Sequence, residues 1–284
     1  MLIRMPLLRS ASRFGRSLAA LALAALSAQT ARAEAKTLYF PHQDERLLQP
    51  WQKNGGAALL PAGAGPEQRV PLVVFLHGTN SAGDQYLWMG GRKDLRPLAR
   101  RLVESEQVQP FVLAAPSQTK NAALASRVWK DFDLSQFVED VVKATEGQVG
   151  IDRERVVLAG HSGAGCNPSG GLAGNYWSAS TPLPLALISI DPCLDAKMGR
   201  AFTQRPSEVP LLLWWQSAVW TREPAKFSAV LMSSKPEGRV DRLVELPPVG
   251  ANPHNGIVPV ALERALRELF PVEQLQAAHS PPND

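Results

Sequence analysis

From residue 70 onward the chain alternates between two hydrophobic periods. Short apolar runs at 70–76, 111–114, 156–159, 185–190, 211–215 and 243–246 hold almost no polar residues. They predict strands buried on both faces. Between them, apolar residues recur at helical spacing. Leu95, Leu98, Leu102 and Val103 mark a helix over 94–103, and Phe137, Val138, Val141 and Val142 mark another that ends near 146. Asp133 and Gln136 have the spacing of a capping box at the start of that second helix. A last helix over 257–270 is stopped by Pro271. Upstream, apolar pieces at 37–40 and 57–60 flank Asn54-Gly55-Gly56 and predict an opening antiparallel pair. Alternation of this kind predicts one α/β domain: a mostly parallel sheet of about eight strands with helices on both faces. One helix is broken in advance, because Pro168, Gly170, Gly171 and Gly174 follow the 156–166 stretch closely. A short or kinked helix and an irregular loop through 180 are expected there.

The two ends of the chain read differently. Residues 1–33 carry five arginines and no acids, a twelve-residue apolar run at 17–28, and Ala31-Arg32-Ala33 before Glu34. That is the layout of a cleaved secretory signal peptide, and the apolar run is too short to cross a bilayer. The expectation is a secreted or periplasmic product with a domain over 34–273 and a flexible polar tail over 274–284. Removing the leader changes the charge argument. Positions 34–284 hold 25 basic and 26 acidic side chains, a formal charge of −1 against +4 for the whole chain. Nucleic-acid binding thereby loses its compositional support. No further apolar stretch is long enough for stable membrane insertion.

The stretch 155–165, Arg-Val-Val-Leu-Ala-Gly-His-Ser-Gly-Ala-Gly, carries the most chemical information. A buried strand breaks into Gly160-His161-Ser162-Gly163-Ala164, so small residues flank a serine at a crowded turn where a Cβ on Gly160 or Gly163 would meet neighbouring backbone. This resembles the G-x-S-x-G nucleophile elbow of the α/β-hydrolase family, with Ala164 where the last glycine is usual. The resemblance covers about 70–271 and implies a serine hydrolase in which Ser162 attacks a carbonyl. The general base implied is His254, in Asn252-Pro253-His254-Asn255-Gly256, read as a loop between the last strand and the last helix. Of the other histidines, His42 lies in the N-terminal strand region and His279 in the tail. His77 ends a strand and shapes a loop, and His161 belongs to the elbow with its side chain turned away.

The triad acid has three candidates. The family's usual position follows the 211–215 strand, but that strand ends Gln216-Ser217 with no carboxylate before Glu223. The preceding strand ends in Asp191-Pro192, with Asp195 beyond it, and some family members carry the acid there. Asp191 is preferred, with Glu223 and Asp195 as alternatives. The resemblance assigns the oxyanion donors to the backbone N–H of Gly163 and, from the His77-Gly78-Thr79 turn, of Thr79. It also brings Cys166 and Cys193 to one end of the sheet, where a disulfide is expected and a pair of buried thiols is the alternative.

No phosphate loop or metal-ligand spacing competes, so no cofactor and no metal are expected. Trp88, Trp177, Trp215 and Trp220 are read as pocket-lining aromatics, although core packing is the stronger reading for Trp215. Fewer than twenty residues separate Asp191 from the next strand, which leaves no room for a large cap and implies an open site. The function expected is hydrolysis of a small or oligomeric carboxylic ester through an acyl-enzyme. A peptidase or amidase acting on exported peptides or wall fragments is the nearest alternative, and a non-catalytic binding protein on the same fold is the other.

Overall fold

The strict alternation of large apolar residues in the central strands decides which side chain joins which face. The computed structural model describes residues 34–85, 88, 94–177, 183–204, 207–218, 223–233 and 241–272. The expected leader and tail lie outside them. Among the described residues the strands are β1 Lys36–Phe40, β2 Gly56–Leu60, β3 Arg69–Leu76, β4 Val112–Pro116, β5 Gly150–His161, β6 Ala186–Ile190, β7 Leu211–Gln216 and β8 Arg242–Leu246. They form one sheet in the order β1-β2-β4-β3-β5-β6-β7-β8. β2 runs antiparallel to both β1 and β4, and every pairing from β4 to β8 is parallel. The opening antiparallel pair and the parallel body both match the sequence reading.

The helices are α1 Arg96–Glu104, α2 Leu134–Thr145, α3 Gly171–Tyr176, α4 Ala196–Gln204, α5 Glu223–Ser233 and α6 Pro253–Leu269. Period-two burial divides them between two cores. Leu72, Val74, Leu158, Leu213 and Trp215 face a core closed by α2, α3, α4 and α5. Val73, Phe75, Val157, Leu212 and Trp214 face the opposite one, closed by α1 and α6.

Three local expectations are corrected. The cap on α2 is one-sided: Asp133 accepts from the Gln136 N–H, but the Gln136 side chain donates to Asp140 instead of returning to the cap. β5 is twelve residues long because its first two residues pair with Arg69 and Val70 before the core run begins. α6 starts four residues early, at Pro253. Asn252 is its N-cap and proline its first residue, both preferred there, so His254 lies in the first helical turn.

Candidate active site

β5 delivers Ser162 at the sheet's carboxyl end, where ligands bind in open parallel sheets. A 3₁₀ turn over Ser162–Gly165 replaces the start of a full helix, and α3 follows as the short helix that the glycines predict. Ser162 has φ 52°, a left-handed backbone that costs a non-glycine residue about 1–3 kcal/mol. The surroundings hold it there. A Cβ on Gly163 would lie 3.2 Å from the Thr79 backbone nitrogen, and one on Gly78 would lie 3.0 Å from the Ser162 Cβ. At Gly160 the crowding comes from the Ala164 and Leu172 side chains, the nearer at 2.9 Å, and not from backbone as the sequence suggested. Ala164 thus fits as the last small residue of the elbow because its methyl packs on Gly160.

The same closeness puts the Thr79 backbone nitrogen beside Gly163, the residue that follows Ser162. The Thr79 turn is braced by a ring of uncharged hydrogen bonds. His77 donates from Nδ1 to the Gly78 carbonyl at 2.7 Å, and its Nε2 accepts from the Gln118 N–H at 3.1 Å. Gln118 in turn accepts from the Trp129 backbone N–H at 2.6 Å. The Trp129 indole N–H closes the ring on the His77 carbonyl at 2.7 Å. Burial pushes the His77 imidazole down to about 4, so it is neutral at ordinary pH. His77 does shape this loop. Trp129, fully buried with φ 57°, was invisible in sequence because 117–132 has no hydrophobic period.

On the other side of Ser162, Asp191 directly follows the end of β6 and has φ 45° and no exposed surface. Its carboxylate accepts from His254 Nδ1 at 2.6 Å, from Gln216 Nε2 at 2.9 Å and from the Gln216 backbone N–H at 3.2 Å. Of the three acid candidates, Asp191 is therefore the one joined to His254. Glu223 opens α5 and pairs with Lys226 at the surface, and Asp195 caps α4 through the Met198 N–H. Gln216 occupies the strand end where the family's acid is usual, and it uses both backbone and side chain to hold the acid of the neighbouring strand. Nothing in an isolated glutamine after two tryptophans signals that role.

His161 has a partner that the sequence does not reveal. Its ring, expected to point away from Ser162, packs on the base: Nε2 meets the His254 carbonyl at 3.0 Å, and the two ring centroids are 4.5 Å apart. Burial, followed by the charge of His254, pushes His161 down to about 3. Cys166 and Cys193 form a disulfide with a Cα–Cα distance of 5.1 Å. It ties the turn after Ser162 to the residues after Asp191. For a closed loop of this length the chain-entropy contribution is roughly 3–4 kcal/mol.

The tryptophan expectations fare differently. Trp215 is buried in the core, and Trp177 packs its ring on Phe202 at 4.9 Å. Trp88 is buried beneath Arg96, whose guanidinium lies 5.4 Å from the ring centroid. These three are packing residues in the described contacts, and Trp220 lies outside the described residues. A cavity of about 1190 Å³ opens between His42, Arg46, Lys120 and the Asp133–Lys143 face of α2. It includes none of Ser162, Asp191 or His254. Among the described residues, no group of three or more His, Cys, Asp and Glu is placed to hold a metal ion.

A family model described as esterase PHB depolymerase matches residues 55–185. That span includes the Thr79 turn and the Ser162 elbow and stops short of Asp191 and His254. A search of the curated proteins finds no match. Among solved structures, a ferulic acid esterase superposes with TM-score 0.60 at 14% identity, covering 84% of this chain and 99% of its own. A CE1 ferulic acid esterase from Anaeromyces mucronatus, in complex with ferulic acid, gives TM-score 0.57 at 14% identity, covering 87% and 94%. The fluorophosphonate-binding serine hydrolase F of Staphylococcus aureus gives 0.56 at 11% identity, covering 84% and 99%. At such identities the likeness is one of fold.

Proposed function

We propose that this chain, an α/β-hydrolase by fold, is an exported serine hydrolase that cleaves a carboxylic ester through an acyl-enzyme. The observation that carries the reading is the 2.6 Å hydrogen bond from His254 Nδ1 to a fully buried Asp191, formed at the strand end next to Ser162. With Nδ1 held by Asp191, Nε2 is the ring nitrogen that takes the proton as Ser162 Oγ bonds to the ester carbon. The N–H groups of Gly163 and Thr79 receive the negative charge that develops on the carbonyl oxygen. The imidazolium then protonates the leaving alcohol. Water enters on the acyl carbon, gives its proton to His254, and the acid departs as Ser162 recovers its hydrogen.

The Esterase PHB depolymerase match and the esterase neighbours support an ester over an amide, and an aryl or hydroxyalkanoate acyl group over a long fatty chain. The disulfide and the signal-like leader support an oxidising, exported location. The test is labelling with a fluorophosphonate probe, followed by turnover of a panel of aryl acetates, hydroxycinnamate esters, 3-hydroxybutyrate oligomers and matched aryl amides. Wild type labels and hydrolyses at least one ester class, whereas Ser162→Ala does neither. A folded wild-type protein that stays unlabelled overturns the enzyme reading, and faster cleavage of amides than of esters overturns the bond assignment.

A further inference from the structure

His254 occupies an exposed-end position that local structure alone holds poorly. It is the second residue of α6, and the first turn of a helix is where backbone hydrogen bonds are missing and ends fray. Asp191 fixes one edge of its ring. General-base geometry tolerates little rotation of the ring about its hydrogen bond to Asp191.

The second constraint comes from the residue before the nucleophile. A carbonyl oxygen only accepts, so the 3.0 Å contact at the His254 carbonyl requires the proton of His161 to sit on Nε2. The same ring lies against the His254 imidazole, with centroids 4.5 Å apart and planes 39° from parallel. We propose that His161 is a positioning residue for the base: its Nε2–H anchors the His254 backbone while its ring face limits rotation of the His254 imidazole. Because His161 directly precedes Ser162 in the chain, it links nucleophile and base through one rigid strand end. Its depressed affinity for protons suits the task, since a neutral ring does not repel the imidazolium formed in each half-reaction. The role rests on the proposed esterase mechanism, but the contact it predicts is measurable without turnover.

Three variants separate the contributions. His161→Gln keeps a donor N–H near the Nε2 position, His161→Asn carries its amide one carbon short of it, and His161→Phe keeps a ring without a donor. Rates are to be normalised to sites titrated with the fluorophosphonate. The expectation is that Asn and Phe lose about 10- to 100-fold in kcat with KM within about twofold, while Gln recovers to within about threefold of wild type. In parallel, the downfield proton resonance of the Asp191–His254 hydrogen bond stays sharp in wild type and His161→Gln, and broadens in His161→Asn. Equal kcat per titrated site in wild type and Asn overturns the proposal, as does a Gln variant no better than Asn. If Phe fails to fold, the Gln and Asn pair decides alone. Wild type that neither labels nor turns over sinks the esterase reading, and the proton resonance then decides the positioning contact by itself.

Discussion

Two buried histidines flank Ser162, and they serve opposite halves of the site. His77 lies on the oxyanion side with 1% of its surface exposed, and His161 lies on the acid–base side with 2%. Both are held neutral, at about 4 and about 3. The company they keep differs. His77 belongs to a closed ring with Gln118 and Trp129 in which every donor and acceptor is uncharged. His161 touches His254, which is backed by a carboxylate and in the proposed mechanism gains and loses a proton. In the proposed cycle the oxyanion side can keep one geometry throughout. The acid–base side must tolerate a change of charge without moving. A buried imidazole that stays neutral serves both needs: it is a rigid hydrogen-bonding plate that adds no charge of its own.

The sharpest way to break this division is Asp191→Asn. The carboxylate accepts from the Gln216 backbone N–H, and its Oδ2 is shared between His254 Nδ1 and Gln216 Nε2. An amide placed there presents N–H groups to one of these donors. Gln216 cannot turn without cost, because its Oε1 accepts from the Ala218 N–H at 2.7 Å. His254 is then pushed to the tautomer that cannot accept a proton from Ser162. The expected result is a loss of about 10³–10⁴-fold in kcat with a small change in KM, since the oxyanion side is untouched. Steady-state kinetics on an aryl ester checks it, and a variant within tenfold of wild type breaks the division.

How far the sequence could be read follows the same division. The elbow and the apolar strand runs are legible because local pattern and small residues specify them, whereas His254 and the choice of acid among Asp191, Glu223 and Asp195 rest on the resemblance. The His254 segment reads as a loop in sequence because Gly256 and Pro259 obscure the helical period, although Asn252-Pro253 is a good N-cap and first residue. The supporting residues could not be read at all. Gln216 and Asp191 meet because β6 and β7 are neighbours in register, with Ile190 opposite Trp214. Trp129 reaches His77 across a loop, and His161 acts through a contact 93 residues away in the chain. These are pairings made by sheet order, which no local window contains.

A pH series probes what both histidines share. In the unfolded chain each binds a proton near 6.5, whereas the folded protein resists until about 4 for His77 and about 3 for His161. Between 6.5 and 4 the unfolded state therefore holds more protons than the native one. Stability is complete above 6.5 and falls as pH drops through this window, by at most about 1.4 kcal/mol per unit for each histidine. Surface pairs respond later: Glu263, held below the ordinary carboxylate range by hydrogen bonds from Arg101 and Arg267, keeps its charge into that window. Thermal melts from pH 7 to 4.5 should show Tm falling steadily in wild type and less steeply in His161→Gln. A flat Tm would mean that neither imidazole is protected from protonation in the native state.

The smallest expected effect tests the oxyanion half by itself. Trp129→Phe removes the indole N–H that reaches the His77 carbonyl at 2.7 Å, and keeps an aromatic ring near the 4.7 Å packing distance from His77. The buried carbonyl loses a partner, which costs about 1–3 kcal/mol. The ring of bonds then opens at one point, while Gln118 continues to hold His77 Nε2. Thr79 gains a little freedom, and its N–H meets the oxyanion less well. We expect a drop in Tm of several degrees and a fall of about threefold to tenfold in kcat, with fluorophosphonate labelling slowed and its pH dependence unchanged. The unchanged pH dependence is the discriminating result. Were it to shift, the oxyanion half would be coupled to the charge of His254, and the separation between an uncharged side and a charge-changing side would fail at the one residue that closes the uncharged ring.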